Sequence, residues 1–278
     1  MNDFIRSAVI LSLFTLSLYG CGGDDSPPAT PSDAALSTPD SSIPDASIIP
    51  DAEPRPDPFV GPTGPSAGCG NAEAPRGSMT RTLVATRIER EFILVVPDGY
   101  DPETPVALVF AWHGLGDSAA GFSRGLSFES ESRNDAIVVY PHGRPALAGA
   151  NGWDITAGGR DVDFFDAMLD ELSSAYCIDT SRIFSMGFSY GGFFSNTLGC
   201  ARGDVIRAIG PIGAAPTARS GCQGQVAAMI IHGEADATIS FALGESARDL
   251  WTGKNGCSAE SSPATPSACV AQNGCDEG

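Results

Sequence analysis

The chain has 278 residues, eight cysteines and a formal net charge of −18. A balance this acidic, with no basic stripe, excludes nucleic acid as a natural partner and disfavours polyanionic substrates. After the first 67 residues are set aside, about 210 remain, enough for one domain with a sizeable core and no later run long enough to span a membrane.

The N-terminus reads as an export signal over residues 1–21. Arg6 precedes an apolar run from Ala8 to Leu18 that is short for a membrane span. Leu18-Tyr19-Gly20-Cys21 resembles a bacterial lipobox, with Tyr19 departing from the small or aliphatic residue usual there. That resemblance implies lipidation of Cys21 and a protein tethered to a bacterial membrane, the outer one, by lipid alone. From Gly22 to about Ala67, proline, serine, alanine and aspartate dominate, a composition expected to form a disordered, extended spacer. The domain is then expected over residues 68–278. With an export signal, cysteines are expected in disulfides rather than around a metal, and no pair shows C-x-x-C spacing.

Arg87–Pro97 and Val106–His113 read as strands, the second apolar enough to be covered on both faces. A helix is expected from Ser118 and a buried strand over Ala136–Tyr140. Asp161–Tyr176 carries the clearest helical stripe, in Phe165, Met168, Leu169, Leu172 and Tyr176, with Asp161 and Asp163 at its positive end. Val205–Ile212 and Val226–Ile231 repeat the buried-strand pattern, and Phe241–Trp251 reads as a helix. Strands alternating with helices predict an α/β fold, a mostly parallel sheet with helices on both faces. Chemistry in such sheets gathers at the carboxyl ends of strands.

The stretch that organises the rest is Gly187-Phe188-Ser189-Tyr190-Gly191. An apolar strand through Ile183, Phe184 and Met186 runs into it, and a helical segment follows from Gly192. A serine on such a turn stands clear of the sheet edge above a helix N-terminus, so Ser189 is the candidate nucleophile. Gly64-Pro65-Ser66-Ala67-Gly68 matches the same pattern, but its proline-rich context, without strand or helix, rejects it. Cys177 precedes the Ser189 strand and Cys200 closes the helix returning from it. Both are expected near the bottom of the sheet, where they could be bonded.

The ordered series Ala111-Trp112-His113-Gly114, Asp163-Phe164-Phe165, Cys177-Ile178-Asp179 with Arg182, Gly187–Gly192 and His232-Gly233-Glu234-Ala235-Asp236 resembles α/β-hydrolase esterases of the feruloyl esterase and polyhydroxybutyrate depolymerase-like group. The resemblance implies an α/β-hydrolase fold and ester hydrolysis by acyl transfer, with no metal or organic cofactor. It makes Ser189 the nucleophile, Asp236 the acid of the triad, and the backbone N–H groups of Tyr190 and Leu115 the oxyanion donors. It points to a monomer acting on ester-bearing polysaccharide, releasing feruloyl or related groups from xylan, or alternatively on a polyhydroxyalkanoate-type polyester.

A serine hydroxyl needs an adjacent base, and in this fold the order is Ser, Asp, His. No histidine follows Asp236; His113, His142 and His232 all precede it, at strand ends where structural roles are expected. The resembling enzymes continue past a stretch like Asn255-Gly256-Cys257 and past Cys269 and Cys275 to a further strand, helix and G-x-H loop. The chain is therefore expected to be cut short of its base and inactive as it stands. A non-catalytic surface protein on the same fold is the competing expectation.

Overall fold

The computed structural model describes residues 61–132, 135–218, 220–265 and 269–276. The export signal, Cys21 and most of the expected spacer lie outside the described residues.

Among the described residues, eleven strands and five α-helices form in chain order: β1 (Gly77–Ala85), β2 (Ile88–Val96), β3 (Val106–Trp112), α1 (Ala119–Gly125), α2 (Phe128–Glu131), β4 (Ala136–Pro141), β5 (Arg144–Pro145), β6 (Asn151–Gly152), α3 (Arg160–Ala175), β7 (Ile178–Phe188), α4 (Tyr190–Ala201), β8 (Ala208–Ile212), β9 (Ala227–Ala228), α5 (Phe241–Lys254), β10 (Ser261–Ala264) and β11 (Cys269–Gln272). Seven strands make one sheet in the order β1-β2-β4-β3-β7-β8-β9. The β1–β2 and β2–β4 pairs are antiparallel, and every other pair is parallel.

Alternation along the central strands explains the layering. Leu108, Phe110 and Trp112 of β3 and Ile137 and Val139 of β4 face the cluster that takes in Phe164, Phe165, Met168 and Leu172 of α3 and Phe194 and Leu198 of α4. Ala111, Val138 and Tyr140 face the other way, onto Ala119 and Phe122 of α1. Helices therefore cover both faces, as the alternating pattern predicts. Burying each of these large apolar side chains contributes about 1.5–3 kcal/mol, so the two faces make the sheet a rigid platform for the loops at its strand ends.

Four differences from the sequence reading have physical causes. First, β1 was not anticipated. Its turn into β2 is Thr86-Arg87, both at positive φ (51° and 64°), without the glycine or asparagine that usually marks such a turn. Second, the spacer ends before Ala67. Gly64 O accepts from the backbone N and the hydroxyl of Thr180, and Ser66 is buried with its hydroxyl donating to Tyr176 O and accepting from Ile178 N. The rejected second pentapeptide is thus a structural clasp on the start of β7.

Third, Cys177 and Cys200 are not bonded to each other. Cys177 pairs with Cys69, and Cys200 with Cys222. Both sit at the base of the sheet as expected, but each has a nearer partner. The chain entering from Gly68 packs on Tyr176, so closely that a side chain there would meet the Tyr176 N at 2.3 Å. Gln223 N bonds Cys200 O across the second bridge. Fourth, Cys257–Cys275 closes a small C-terminal unit holding the β10–β11 hairpin, where no regular structure was anticipated. Three such bonds belong to a protein that folds in an oxidising compartment, outside the reducing cytosol.

Candidate active site

The pentapeptide folds as a sharp strand-to-helix turn. Ser189 follows β7 directly and stands at φ 52°, ψ −117°, a left-handed conformation that costs a non-glycine residue about 1–3 kcal/mol. Its N–H donates to Ile212 O on β8, and its carbonyl accepts from Phe193 N in α4. The two glycines are dictated by crowding: a Cβ on Gly187 would lie 2.2 Å from Gly191 O, and one on Gly191 would lie 2.0 Å from Trp112 O. Beneath the turn, the Trp112 indole donates to Ser185 Oγ at 3.0 Å, and Ser195 Oγ donates to Ser185 O at 2.8 Å. This buried chain locks β3, β7 and α4 together under Ser189.

The loop after β3 reaches the same point. Gly114 faces Ser189, since a Cβ there would lie 3.7 Å from the Ser189 Cβ. Leu115 follows; its side chain and the Tyr190 ring both crowd Gly152, where a Cβ would lie 3.1 Å from the one and 2.9 Å from the other. Tyr190 is the first residue of α4, where backbone N–H groups have no acceptor within the helix. Ser189, Tyr190 and Leu115 are therefore brought together.

Asp236 joins them from the loop after β9. The ladder continues past the two residues of β9: Ile231 N donates to Pro211 O and Gly213 N to Ile231 O. That places the loop's start beside the exit of β8, one strand over from Ser189. Asp236 Oδ1 accepts from Thr238 N at 2.8 Å and Ile239 N at 2.9 Å. Oδ2 comes within 3.6 Å of where a Cβ on Gly213 would stand, next to the residue that holds Ser189 N. One carboxylate oxygen thus fixes the loop, and the other faces the site.

All three histidines have other duties. His113 is fully buried; its Nδ1–H donates to Gly114 O at 2.8 Å while Nε2 accepts from Gly143 N at 2.9 Å. Burial pushes this imidazole below its usual pKa, with the Gly114 bond opposing, so it is neutral at pH 7. His142 Nδ1 accepts from Ala119 N at the start of α1. His232 Nε2–H donates to Ile239 O at 2.7 Å, closing the Asp236 loop, and lies 3.7 Å from Asp236 Oδ2. The ring is packed against Gly244 of α5.

A cleft of about 390 Å³ opens beside Tyr190, walled by Leu147, Trp153, Asp154, Ile155 and Arg160. Sequence reasoning assigned none of these, because they lie in a stretch without a strong period. Their one legible sign was the density of Gly, Pro and Ala around Trp153. Among the described residues, no group of three or more His, Cys, Asp or Glu side chains is placed to hold a metal ion.

No family model matches the chain. Individual proteins do. The chain is 34% identical over 241 residues to feruloyl esterase D of Neurospora crassa, covering 80% of this chain and 80% of that enzyme. The chain belongs to the feruloyl esterase family. It is a carboxylic ester hydrolase. Feruloyl esterase C of Emericella nidulans is also 34% identical, over 177 residues that make up 60% of this chain and 63% of that one. Among solved structures, the acetyl xylan esterase from Aspergillus awamori superposes with a TM-score of 0.58 at 15% identity, over 70% of this chain and 88% of that one. A thermostable esterase gives 0.52 at 17% identity, over 63% and 52%. At such identities these two likenesses bear on the fold alone, and the fold is that of an α/β-hydrolase.

Proposed function

We propose that this feruloyl esterase relative releases feruloyl or related acyl groups from plant cell-wall polysaccharide, with Ser189 as nucleophile. Ser189 Oγ adds to the ester carbonyl. The resulting oxyanion is held by the N–H groups of Tyr190 and Leu115, and the sugar oxygen leaves with a proton. Water then cleaves the acyl–Ser189 bond. Asp236 Oδ2 is the carboxylate that orients the imidazolium of the base. The observation that carries this reading is the left-handed φ of Ser189 at the end of β7, with the Gly114 loop on one side and Asp236 on the other.

The base itself is not one of the three imidazoles in these 278 residues, each of which is committed elsewhere. A triad deprived of its histidine loses on the order of 10⁶ in kcat and keeps a residue of about 10³–10⁴ over water from oxyanion binding. The 278-residue chain alone is therefore expected to hydrolyse a small aryl ester near background, and to speed up when imidazole is added to the buffer. Ser189→Ala is expected to remove that stimulation. Brisk turnover without imidazole would overturn the assignment of the base. Failure to release ferulate from feruloylated arabinoxylan in a Ser189-dependent way, with imidazole present, would overturn the substrate.

The lipobox-like run ending at Cys21 supports attachment to a membrane by lipid. Labelling of expressing cells with a radioactive fatty acid is expected to mark the parent chain and not Cys21→Ser.

A further inference from the structure

One buried ion pair is unexplained by the fold or by the proposed chemistry. Arg90 faces inward from the middle of β2, and Asp161 faces inward from the first turn of α3. Their exposures are 3% and zero, and Nη2 to Oδ1 is 2.6 Å. Apolar residues of similar volume hold such a position at least as well, so stability alone is a weak reason for the pair.

The remaining contacts of the two side chains give it another. Asp161 Oδ2 accepts from Asp154 N at 2.6 Å, pinning the strip from Asp154 to Arg160 that forms one wall of the cleft beside Tyr190. Arg90 Nη2 also donates to His142 O at 3.2 Å, at the root of the β5–β6 hairpin that carries Leu147, the opposite wall. Arg160 closes the arrangement across the top, lying 3.5 Å from Asp161 Oδ2 through Nε and donating from Nη2 to Pro145 O at 2.9 Å. The guanidinium of Arg90 is held flat by the Phe164 ring, 4.0 Å from its centroid. A single nitrogen, Nη2, therefore meets both the carboxylate that pins one segment of the cleft and the carbonyl at the root of the other. A lysine lacks the planar guanidinium that stacks on Phe164, and its flexible stem does not hold its nitrogen in that place.

We propose that Arg90 and Asp161 are positioning residues which set the width and alignment of the cleft, and through it the affinity for the bulky part of the ester, without touching substrate. This rests on the reading that Ser189 is the nucleophile and that the cleft beside its neighbour Tyr190 receives the ester.

The test uses the full chain carrying Ser189→Ala, so that bound ester stays intact. Methyl ferulate is titrated against tryptophan fluorescence, since Trp153 borders the cleft. Amide hydrogen exchange is followed in the same proteins. Arg90→Met with Asp161→Leu replaces the pair by apolar volume. It is expected to weaken methyl ferulate binding about tenfold and to speed exchange over residues 144–160, with β3 and β7 unchanged. Arg90→Lys keeps a charge for Asp161 and is expected to weaken binding about threefold, with faster exchange confined to residues 144–152; it decides the matter should the double variant not fold. Unaltered binding and exchange in either folded variant would overturn the positioning role while leaving the ester reading intact. Absence of binding by the Ser189→Ala parent would overturn the ester reading and this inference with it.

Discussion

Ser189 stores strain that the fold would shed if it could. At φ 52° and ψ −117° it occupies a region that glycine enters freely and other residues enter at a cost of about 1–3 kcal/mol. Its side chain caps no helix N–H, so replacing it forfeits no cap. Ser189→Ala keeps the strain and removes the hydroxyl; Ser189→Gly removes both. The difference between these variants isolates the backbone. Against the relief stands the greater freedom of glycine in the unfolded chain, about 0.4–1 kcal/mol. At the midpoints of these two ranges, Ser189→Gly is therefore expected to be more stable than Ser189→Ala by about 1.3 kcal/mol. At ~2–4 °C per kcal/mol for a domain of this size, the melting temperature should rise by about 3–5 °C. Urea unfolding of both variants reads the same quantity as a shift in midpoint at constant slope. Equal midpoints, or a lower one for glycine, would refute the claim that the turn is held under strain by the sheet and α4.

Two further outcomes follow from the core. Burial lowers the pKa of His113, so the unfolded chain binds more protons than the folded one once pH falls below the unfolded value of about 6.5. Stability is complete above that pH and declines as pH falls toward the folded pKa; urea midpoints at pH 7.5 and pH 5 should differ less for His113→Gln than for the parent. The bridges should rank by the loop each closes: with 108 residues between its ends, Cys69–Cys177 restrains the unfolded chain by about 5 kcal/mol, and Cys200–Cys222, with 22, by about 3 kcal/mol. Paired Cys→Ser variants compared by urea unfolding under non-reducing conditions check the order, and a larger loss on removing the shorter bridge would contradict it.

What could be read from the chain beforehand was whatever repeats at a short period or is forced by a turn. Runs such as Val106–Trp112 and Ala136–Tyr140 announce strands buried on both faces, and the stripe from Phe165 to Tyr176 announces α3. Ser189 was legible because the glycines around it are required by contacts of 2.0–2.2 Å that leave a fixed spacing in the sequence. Disulfide partners were not legible. The choice between Cys69 and Cys200 for Cys177 depends on where the entering segment crosses Tyr176, a tertiary fact without a local signature. The β5–β6 hairpin was missed for a related reason: its strands are two residues each, too short to show alternation.

Arg90 marks the boundary between these cases. In Ile88-Glu89-Arg90-Glu91-Phe92-Ile93-Leu94 the inward positions of β2 are Arg90, Phe92 and Leu94, all buried, while Glu89 and Glu91 are exposed. Once the strand's inner face is fixed by Phe92 and Leu94, period two alone forces a cation into the core, and a buried cation must meet an anion. The sequence therefore contained the demand for a partner, though not its identity. Asp161 and Asp163 were read alike, as acids at the positive end of the helix; both lie in its first turn, but Asp161 is fully buried and paired with Arg90, while Asp163 two positions on is exposed. A charged residue in phase with the apolar face of a strand is thus a sequence-level pointer to a device in the fold, and here that device ties the start of α3 to the root of the hairpin that borders the cleft beside Tyr190.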